Sequence, residues 1–138
     1  MDCGPNPAAI NLRKAALLNG TFRTAVWTGK HLQVTVMCIP VGESVGTEKH
    51  GDVDQLLYIE QGSAALCTGS SREALENRKQ LCSGCAALVP AGTWHNVLNC
   101  GSCPLKLFSV YAPPEHPHGT VHCTKAAAEA AESAHEYS

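Results

Sequence analysis

The stretch CSGCAALVPAGTWHNVLNCGSC, residues Cys82 to Cys103, contains two overlapping patterns. One is C-x2-C, fourteen residues, and C-x2-C again, a spacing close to that of zinc ribbons, which hold a structural metal ion. The other is G-x5-P-x-G-x2-H-x3-N, which runs from Gly84 to Asn99. In this second pattern proline and glycine make a tight turn, and His95 begins the returning strand of a β-hairpin. The two patterns predict different chemistry, and residues elsewhere in the chain decide between them.

A second group of polar residues precedes this stretch, in the pattern G-x5-E-x-H-x4-Q-x6-G over residues 42–62. Because residues i and i+2 of a strand point to the same face, Glu48 and His50 share one face and the residue between them points away. Gln55 follows a turn and can point back to that face. Together with His95, these residues offer a carboxylate, two imidazoles and an amide oxygen, a credible ligand set for a divalent transition metal. The alternative is a polar, hydrogen-bonded barrel interior without metal.

The rest of the chain is dominated by short β-rich segments separated by glycine and proline turns, which is typical of a sandwich or barrel. The predicted strands lie at 22–27, 31–39, around 49, 55–60, 63–67, 86–89, 95–98 and 105–111. We therefore predict an all-β domain over residues 21–112. An irregular segment, residues 1–20, precedes it, with a short helical turn around Leu12 to Leu18. An arm, residues 113–138, follows it.

Two segments break the strand pattern. Ser70-Ser71-Arg72-Glu73 resembles a capping box and predicts a short helix that reaches about Leu81. The alanine-rich stretch from Thr124 to Glu136 predicts a C-terminal helix, which can bury little because its inward face is mostly alanine.

The two polar patterns resemble those of the cupin superfamily, whose motifs are G-x5-H-x-H-x3-4-E-x6-G and G-x5-P-x-G-x2-H-x3-N. The second motif matches at every fixed position, whereas the first has Glu48 in place of a histidine and Gln55 in place of a glutamate. The resemblance covers about Phe22 to about Lys125. It implies a double-stranded β-helix (jelly-roll) barrel with a short C-terminal helix. It also implies one divalent metal (Zn, Mn, Fe, Ni or Co) bound by Glu48, His50, Gln55 and His95.

The eight cysteines allow three interpretations: free thiols, a structural zinc, or disulfides. In the predicted hairpin, two pairs lie opposite each other at its open end, which would allow a second zinc at Cys82, Cys85, Cys100 and Cys103. The cupin pattern already uses Gly84 and Asn99 within these segments, and a zinc ribbon leaves the pattern over residues 42–62 unexplained. We therefore interpret the stretch as a barrel hairpin to which a zinc ion is a possible addition.

The segments YAPPEHPHGTVH and WTGKHLQ are similar to a branch of small single-domain cupins often described as mannose-6-phosphate isomerase-like. This resemblance implies a metal-dependent enzyme that acts on a small polar molecule such as a sugar or sugar phosphate. We expect Glu48 to be the catalytic residue, while Gln33 and Tyr111 either bind substrate or serve as core and rim residues. The candidates for a phosphate contact are Lys30, Lys49 and Lys106.

Two other functions stay open. Two histidines and one carboxylate are also the ligand set of non-haem iron oxygenases, which predicts a dioxygenase as the alternative enzyme. Cupins also include non-catalytic small-molecule-binding proteins, and fold similarity alone does not separate these functions.

Composition and charge exclude several classes of partner. The formal net charge is −2 and the lysines and arginines are scattered, so we expect no nucleic-acid binding. No apolar run approaches the roughly 20 residues that span a bilayer, and the N-terminus lacks the apolar core of a signal peptide. We expect a cytoplasmic protein with a small-molecule substrate and no membrane partner. We also expect a homodimer that pairs the open edge of the segment Phe22–Trp27, because unpaired strand edges favour association.

Overall fold

The structure of the protein is a computed structural model, which describes residues 1–136; the last two residues of the predicted arm lie outside the described part. The elements in chain order are α1 (Leu12–Leu18), β1 (Arg23–Thr28), β2 (Gln33–Ile39), β3 (Asp54–Gln61), β4 (Ala64–Gly69), β5 (Asn77–Leu81), β6 (Ala86–Val89), β7 (Trp94–Asn99), β8 (Leu105–Ala112), β9 (Val121–His122) and α2 (Lys125–Glu136).

The strands form two antiparallel sheets, one of six strands in the order β6-β3-β8-β2-β1-β9 and one of three strands in the order β5-β4-β7. Their inner faces enclose one apolar core, in which Met37, Ile39, Leu57, Ile59, Leu105 and Leu107 are fully buried. The predicted all-β, double-stranded β-helix is thereby confirmed. The alternation of side chains along a strand explains this core, because every second residue of β2, β3 and β8 points inward.

The inward residues of the large sheet change from apolar to polar along the strands. Pairing of β2 and β3 with β8 sets Gln33 and Gln55 on either side of Tyr111. The next inward pair is Thr35 and Ser109, and all five side chains are almost completely buried. One end of the barrel interior is therefore lined by polar groups, and the other end by the apolar core.

The outer face of the large sheet is covered by α1, which confirms the helical turn predicted around Leu12 to Leu18. The side chain of Asn11 accepts a hydrogen bond from the backbone N–H of Lys14 and caps the helix. Ala16 is buried against Val26 and Val36, which are outward residues of β1 and β2. The central strands are thus covered on both faces.

The helix predicted from Ser70 to about Leu81 was wrong. A tight turn joins Ser71 to Ala74, whose backbone N–H donates to the Ser71 carbonyl at 3.1 Å, and residues Asn77–Leu81 form β5 against β4. A Cβ atom on Gly69 would lie 1.6 Å from the Ala74 carbonyl oxygen. The chain folds back too closely on β4 for a helical turn, so its backbone pairs with the sheet instead.

The C-terminal arm folds back onto the barrel. Strand β9 pairs with the start of β1, with His122 opposite Arg23 and Val121 opposite Thr24. The expectation that Phe22–Trp27 offers an open edge was therefore wrong for this part of β1, and the homodimer itself stays a prediction. Helix α2 packs Ala128 into the core, although the helix was expected to bury little.

Within residues 1–136, no helix combines the length and apolar character that crossing a bilayer demands.

Candidate metal centre

Backbone pairing brings the two sequence motifs together. The N–H of Glu48 donates to the carbonyl of His95 at 2.9 Å, and the N–H of His95 donates back at 3.0 Å. The carbonyl of His50 accepts from the N–H of Gly92 at 2.7 Å. As predicted from strand alternation, Lys49 points to the other side, where its Nζ lies 5.4 Å from the centre of the Trp94 ring. Glu48, His50 and His95 therefore face the polar end of the barrel interior.

Glu48, His50 and His95 each direct one ligand atom to a common point, and these three atoms all lie within 4.8 Å of one another. In the part of the chain that the structure describes, this is the only group of three or more histidine, cysteine, aspartate or glutamate side chains so placed. Both imidazoles are buried, whereas the Glu48 side chain keeps 18% of its surface exposed. Three of the four predicted ligands thus form a candidate metal-binding triad that is reached from the Glu48 side.

Gln55, the fourth predicted ligand, lies beside this triad on β3. The Gln55 Nε2 donates to the Ser109 hydroxyl at 2.9 Å. This hydrogen bond directs the Gln55 Oε1 toward His95, where it lies 3.2 Å from the His95 Nε2. The structure therefore places an amide oxygen next to the triad, although whether it coordinates stays a prediction.

The surroundings of two donor atoms favour a metal, because neither atom has a hydrogen-bond partner in the described part of the chain. The Glu48 Oε1 and the His50 Nε2 are buried without a hydrogen-bond partner among residues 1–136, and they lie 3.7 Å apart, too far for a hydrogen bond. Buried polar atoms are normally satisfied, and leaving one unsatisfied costs about 1–3 kcal/mol. A divalent cation between the carboxylate and the imidazoles would satisfy these atoms together.

The protonation states of Glu48 and His95 agree with such a ligand set, whereas His50 has to lose a proton to bind a metal. Burial raises the pKa of Glu48, but the nearby His50 and the charges of Arg23 and His95 outweigh it, so the pKa is lowered and the carboxylate is ionised. Burial lowers the pKa of His95, and the Nδ1 atom of this ring lies 2.9 Å from the Thr93 carbonyl. The neutral ring therefore donates through Nδ1 and keeps a lone pair on Nε2, the atom that faces the triad.

Glu115, a residue of the C-terminal arm, contacts the His50 ring at Nδ1, the nitrogen that faces away from the triad. Its Oε1 lies 3.3 Å from His50 Nδ1. Burial alone would lower the pKa of His50, but the adjacent carboxylates of Glu115 and Glu48 raise it from 6.5 to about 10. A carboxylate on the far nitrogen of a ligating histidine orients the ring and increases its basicity. The sequence patterns did not reveal Glu115, because it lies outside both motifs.

The two predicted substrate-binding residues lie in different surroundings. Tyr111 is fully buried, its hydroxyl has no hydrogen-bond partner among the described residues, and its ring meets the His50 ring edge-on at 5.9 Å. The amide of Gln33 is occupied, because it donates to the Thr28 hydroxyl and the His116 carbonyl and accepts from the His116 N–H. Gln33 thus anchors the arm, and its direct contact with a substrate stays a prediction.

None of the three lysines proposed for a phosphate contact is the cation nearest to the metal triad. Lys49 lies over Trp94, Lys106 donates to the Asn19 carbonyl, and Lys30 is an exposed turn residue. The buried cation is Arg23, at 1% exposure, whose charge acts on the pKa of Glu48. One signal in the sequence could have identified Arg23: it precedes Ala25 by two residues in a β-rich segment, so both share the inward face.

All eight cysteines are free thiols. Cys82 and Cys85 approach each other to 3.4 Å between sulfur atoms, whereas the Cys100 sulfur accepts a hydrogen bond from Arg78 at 3.3 Å. Since the candidate triad is the only metal-ligating group within residues 1–136, the structural zinc at Cys82, Cys85, Cys100 and Cys103 is not supported. The C-x2-C pairs belong to the barrel hairpin and do not gather into one site.

A double-stranded β-helix that gathers two histidines and a glutamate at one end of its interior defines a cupin-type protein with a candidate metal site. Residues 35–111 match the model of the Cupin domain family, and the chain belongs to that family. The match includes Gln55, His50, Glu48 and His95, together with both cupin motifs.

The chain is also similar to uncharacterised proteins and to a solved structure. The uncharacterised protein YrkC of Bacillus subtilis (strain 168) is 54% identical over 131 residues, which cover 95% of this chain and 70% of YrkC. The uncharacterised protein L612 of Acanthamoeba polyphaga mimivirus is 34% identical over 113 residues, 81% of this chain and 69% of L612. The crystal structure of BH2720 from Bacillus halodurans is 50% identical with a TM-score of 0.92, over 94% of this chain and 98% of that one.

Proposed function

We propose that the protein is a metal-dependent enzyme that acts on a small polar substrate. Glu48, His50 and His95 would hold one divalent transition metal, and Gln55 would add a neutral oxygen. The observation that carries this proposal is the convergence of three ligand atoms within 4.8 Å, at a place where the Glu48 Oε1 and the His50 Nε2 are buried without a hydrogen-bond partner among residues 1–136. A metal bound there would supply Lewis-acid polarisation of a substrate oxygen.

The residues around the centre favour an anionic or hydroxylated substrate. Glu48 is the only carboxylate in the triad, so a bound dication would keep a net positive charge. Glu48 is ionised and partly exposed, so it is also the group that is able to accept a proton from a substrate at the mouth of the barrel. The resemblance of two segments to the branch described as mannose-6-phosphate isomerase-like favours a sugar or sugar phosphate as substrate, with proton transfer as the reaction.

A second candidate function is supported by the ligand set itself. Two histidines and one carboxylate are the facial triad of non-haem Fe(II) oxygenases. Measured oxygen uptake that requires Fe(II) and is lost in His95→Ala would favour the oxygenase over the isomerase.

The test is elemental analysis by mass spectrometry of untagged protein, with His95→Ala and the double variant Cys82→Ser/Cys85→Ser in parallel. We expect one metal per chain in the wild type and the cysteine variant, and none in His95→Ala. Metal lost only from the cysteine variant, or absent from all three, would contradict the proposal. In the latter case a non-catalytic binding protein becomes the better description, and titration calorimetry that shows binding without turnover would support it.

A further inference from the structure

Arg23 is a buried cation whose hydrogen-bonding capacity is largely unused. Its side chain is 1% exposed, and its Nη1 donates to the His122 Nδ1 at 3.1 Å. Within residues 1–136, the only carboxylate that approaches to 4.0 Å is that of Glu132, a half-exposed residue of α2, and the Arg23 Nε has no hydrogen-bond partner. Buried charges are normally paired and hydrogen-bonded, so this arrangement is costly as it stands.

Tyr111 adds a second unused donor close to Arg23. Its hydroxyl is buried and has no hydrogen-bond partner among the described residues, and burial raises its pKa, which keeps the proton on the oxygen. The Tyr111 ring lies 5.9 Å from the ring of the triad residue His50, and the charge of Arg23 acts on the pKa of the phenol, so Tyr111 is close to both groups. Two neighbouring donors without acceptors indicate the position of a missing acceptor.

The charges around the centre also leave room for one anion. With a dication at the triad, the metal and Arg23 contribute three positive charges, and Glu48 and Glu115 contribute two negative ones. The single remaining positive charge is balanced by Glu132, whose Oε1 lies 4.0 Å from Arg23, or by a monoanionic ligand in its place. A phosphate ester with two negative charges would overcompensate, so this charge balance argues against a sugar phosphate and narrows the substrate class proposed above.

We propose that Arg23 and the Tyr111 hydroxyl form a carboxylate-binding subsite beside the metal centre. The substrate would be a small hydroxy- or keto-carboxylate that displaces Glu132 from Arg23. The planar fork of a guanidinium matches a carboxylate, which can accept two parallel hydrogen bonds. The subsite itself rests on Arg23, Tyr111 and Glu132; only the contact of the second substrate oxygen with the metal rests on the function proposed above.

The first test is titration calorimetry of the Zn(II)-loaded protein with glycolate and with glycolamide, its neutral counterpart of the same size. We expect glycolate to bind at least about tenfold more tightly, because only glycolate brings a charge to Arg23. Glu132→Gln should tighten glycolate binding severalfold, since it removes the competing carboxylate. Glu129→Gln, an exposed residue of the same helix, is the matched control and should leave binding unchanged.

Variants at the subsite complete this test. Arg23→Lys keeps the charge but loses the fork, and Tyr111→Phe loses only the hydroxyl; both should weaken glycolate binding, by about tenfold for Arg23→Lys. Circular dichroism establishes which variants fold. If Arg23→Lys does not fold, the Glu132→Gln variant, which changes a half-exposed residue, still tests the proposal. Equal affinities for glycolate and glycolamide would overturn the proposal. Arg23-dependent binding of inorganic phosphate that is tighter than that of glycolate would overturn the carboxylate assignment.

A second readout separates this proposal from the metal. In metal-free 15N-labelled protein, the Arg23 Nε–H signal, assigned by its loss in Arg23→Lys, should shift downfield with acetate and not with acetamide. That shift in a protein that binds no metal would support the subsite while the metal-dependent function fails. An Nε–H signal that acetate leaves unchanged in the wild type and in Glu132→Gln would overturn the subsite, even if the metal is bound.

Discussion

The Oε1 of Gln55 lies 3.2 Å from the Nε2 of His95, and both atoms present lone pairs to the same point. The His95 ring donates through Nδ1 to the Thr93 carbonyl at 2.9 Å, and the Gln55 amide nitrogen donates to Ser109. A cation relieves this contact between two acceptors. Without a cation, rotation of the Gln55 amide would let its nitrogen donate to His95 and its oxygen accept from Ser109. We therefore expect the orientation of this amide to change with metal binding.

Replacing Gln55 by glutamate should strengthen metal binding. The substitution exchanges a neutral oxygen ligand for an anionic one without a change in size, and it restores the residue of the family motif. We expect the metal affinity to rise on the order of tenfold or more, because a second carboxylate adds Coulomb attraction in a partly buried site. Competition with a chromophoric chelator measures the change.

Gln61→Glu, at the far end of the same strand, is the matched control and should bind metal as the wild type does. An unchanged metal affinity in Gln55→Glu would show that residue 55 does not contribute to the metal site.

Metal binding should release about one proton per ion at pH 7, because His50 is protonated in the metal-free protein. Burial lowers the pKa of His50, but Glu115 and Glu48 raise it to about 10, and a metal must displace that proton from Nε2. The apparent metal affinity should therefore increase with pH up to about 10. Calorimetry in buffers with different ionisation enthalpies counts the protons. Glu115→Gln should reduce the release at pH 7, whereas Glu129→Gln should not.

The same histidine makes the stability of the metal-free protein depend on pH. Its pKa in the folded protein, about 10, is higher than the ordinary value of 6.5, so the folded state binds the proton more tightly. The stabilisation is fully present below pH 6.5 and is lost as the pH rises toward 10. Urea denaturation over this range should show a falling free energy of unfolding, and His50→Gln should remove that slope. If the free energy of unfolding falls with pH as steeply in His50→Gln as in the wild type, another group causes the pH dependence.

Gln33→Leu should release the C-terminal arm. The amide makes two hydrogen bonds with the backbone of His116, at 2.9 Å each, and a buried leucine would leave those backbone groups unsatisfied. We expect a loss of about 2–3 kcal/mol in the free energy of unfolding and faster proteolysis within residues 113–120. Gln80→Leu on the exposed strand β5 is the control, with little change expected. Equal proteolysis of the two variants would contradict an anchoring role.

Gly69→Ala should be strongly destabilising. The added Cβ atom would lie 1.6 Å from the Ala74 carbonyl oxygen and 2.8 Å from the Leu75 Cα, both of which are backbone atoms. We expect a loss of roughly 2–4 kcal/mol, against little change for Gly20→Ala, where a Cβ would meet nothing within 4 Å. Thermal denaturation measures both, and similar melting temperatures would argue against the close turn between β4 and β5.

Local patterns predicted the helix α1 but failed for the segment from Ser70 to Leu81. Around Leu12 to Leu18 the helical turn has its own N-cap in Asn11, so the local signal and the structure agree. In the second segment a similar local signal was overridden, because the backbone of β5 pairs with β4 along its five residues. A capping-box pattern states a local preference only, and tertiary pairing decides whether it is realised.

The sequence by itself determined the all-β class and the identities of Glu48, His50, Gln55 and His95 as the candidate ligands. It could do so because strand alternation and the Pro-Gly turn convert fixed spacings into a shared direction. Only the tertiary structure decided what surrounds those ligands. Glu115 reaches His50, and Glu132 reaches Arg23, because the arm and α2 fold back over the barrel mouth. Contacts between residues so distant along the chain leave no periodic trace in the sequence.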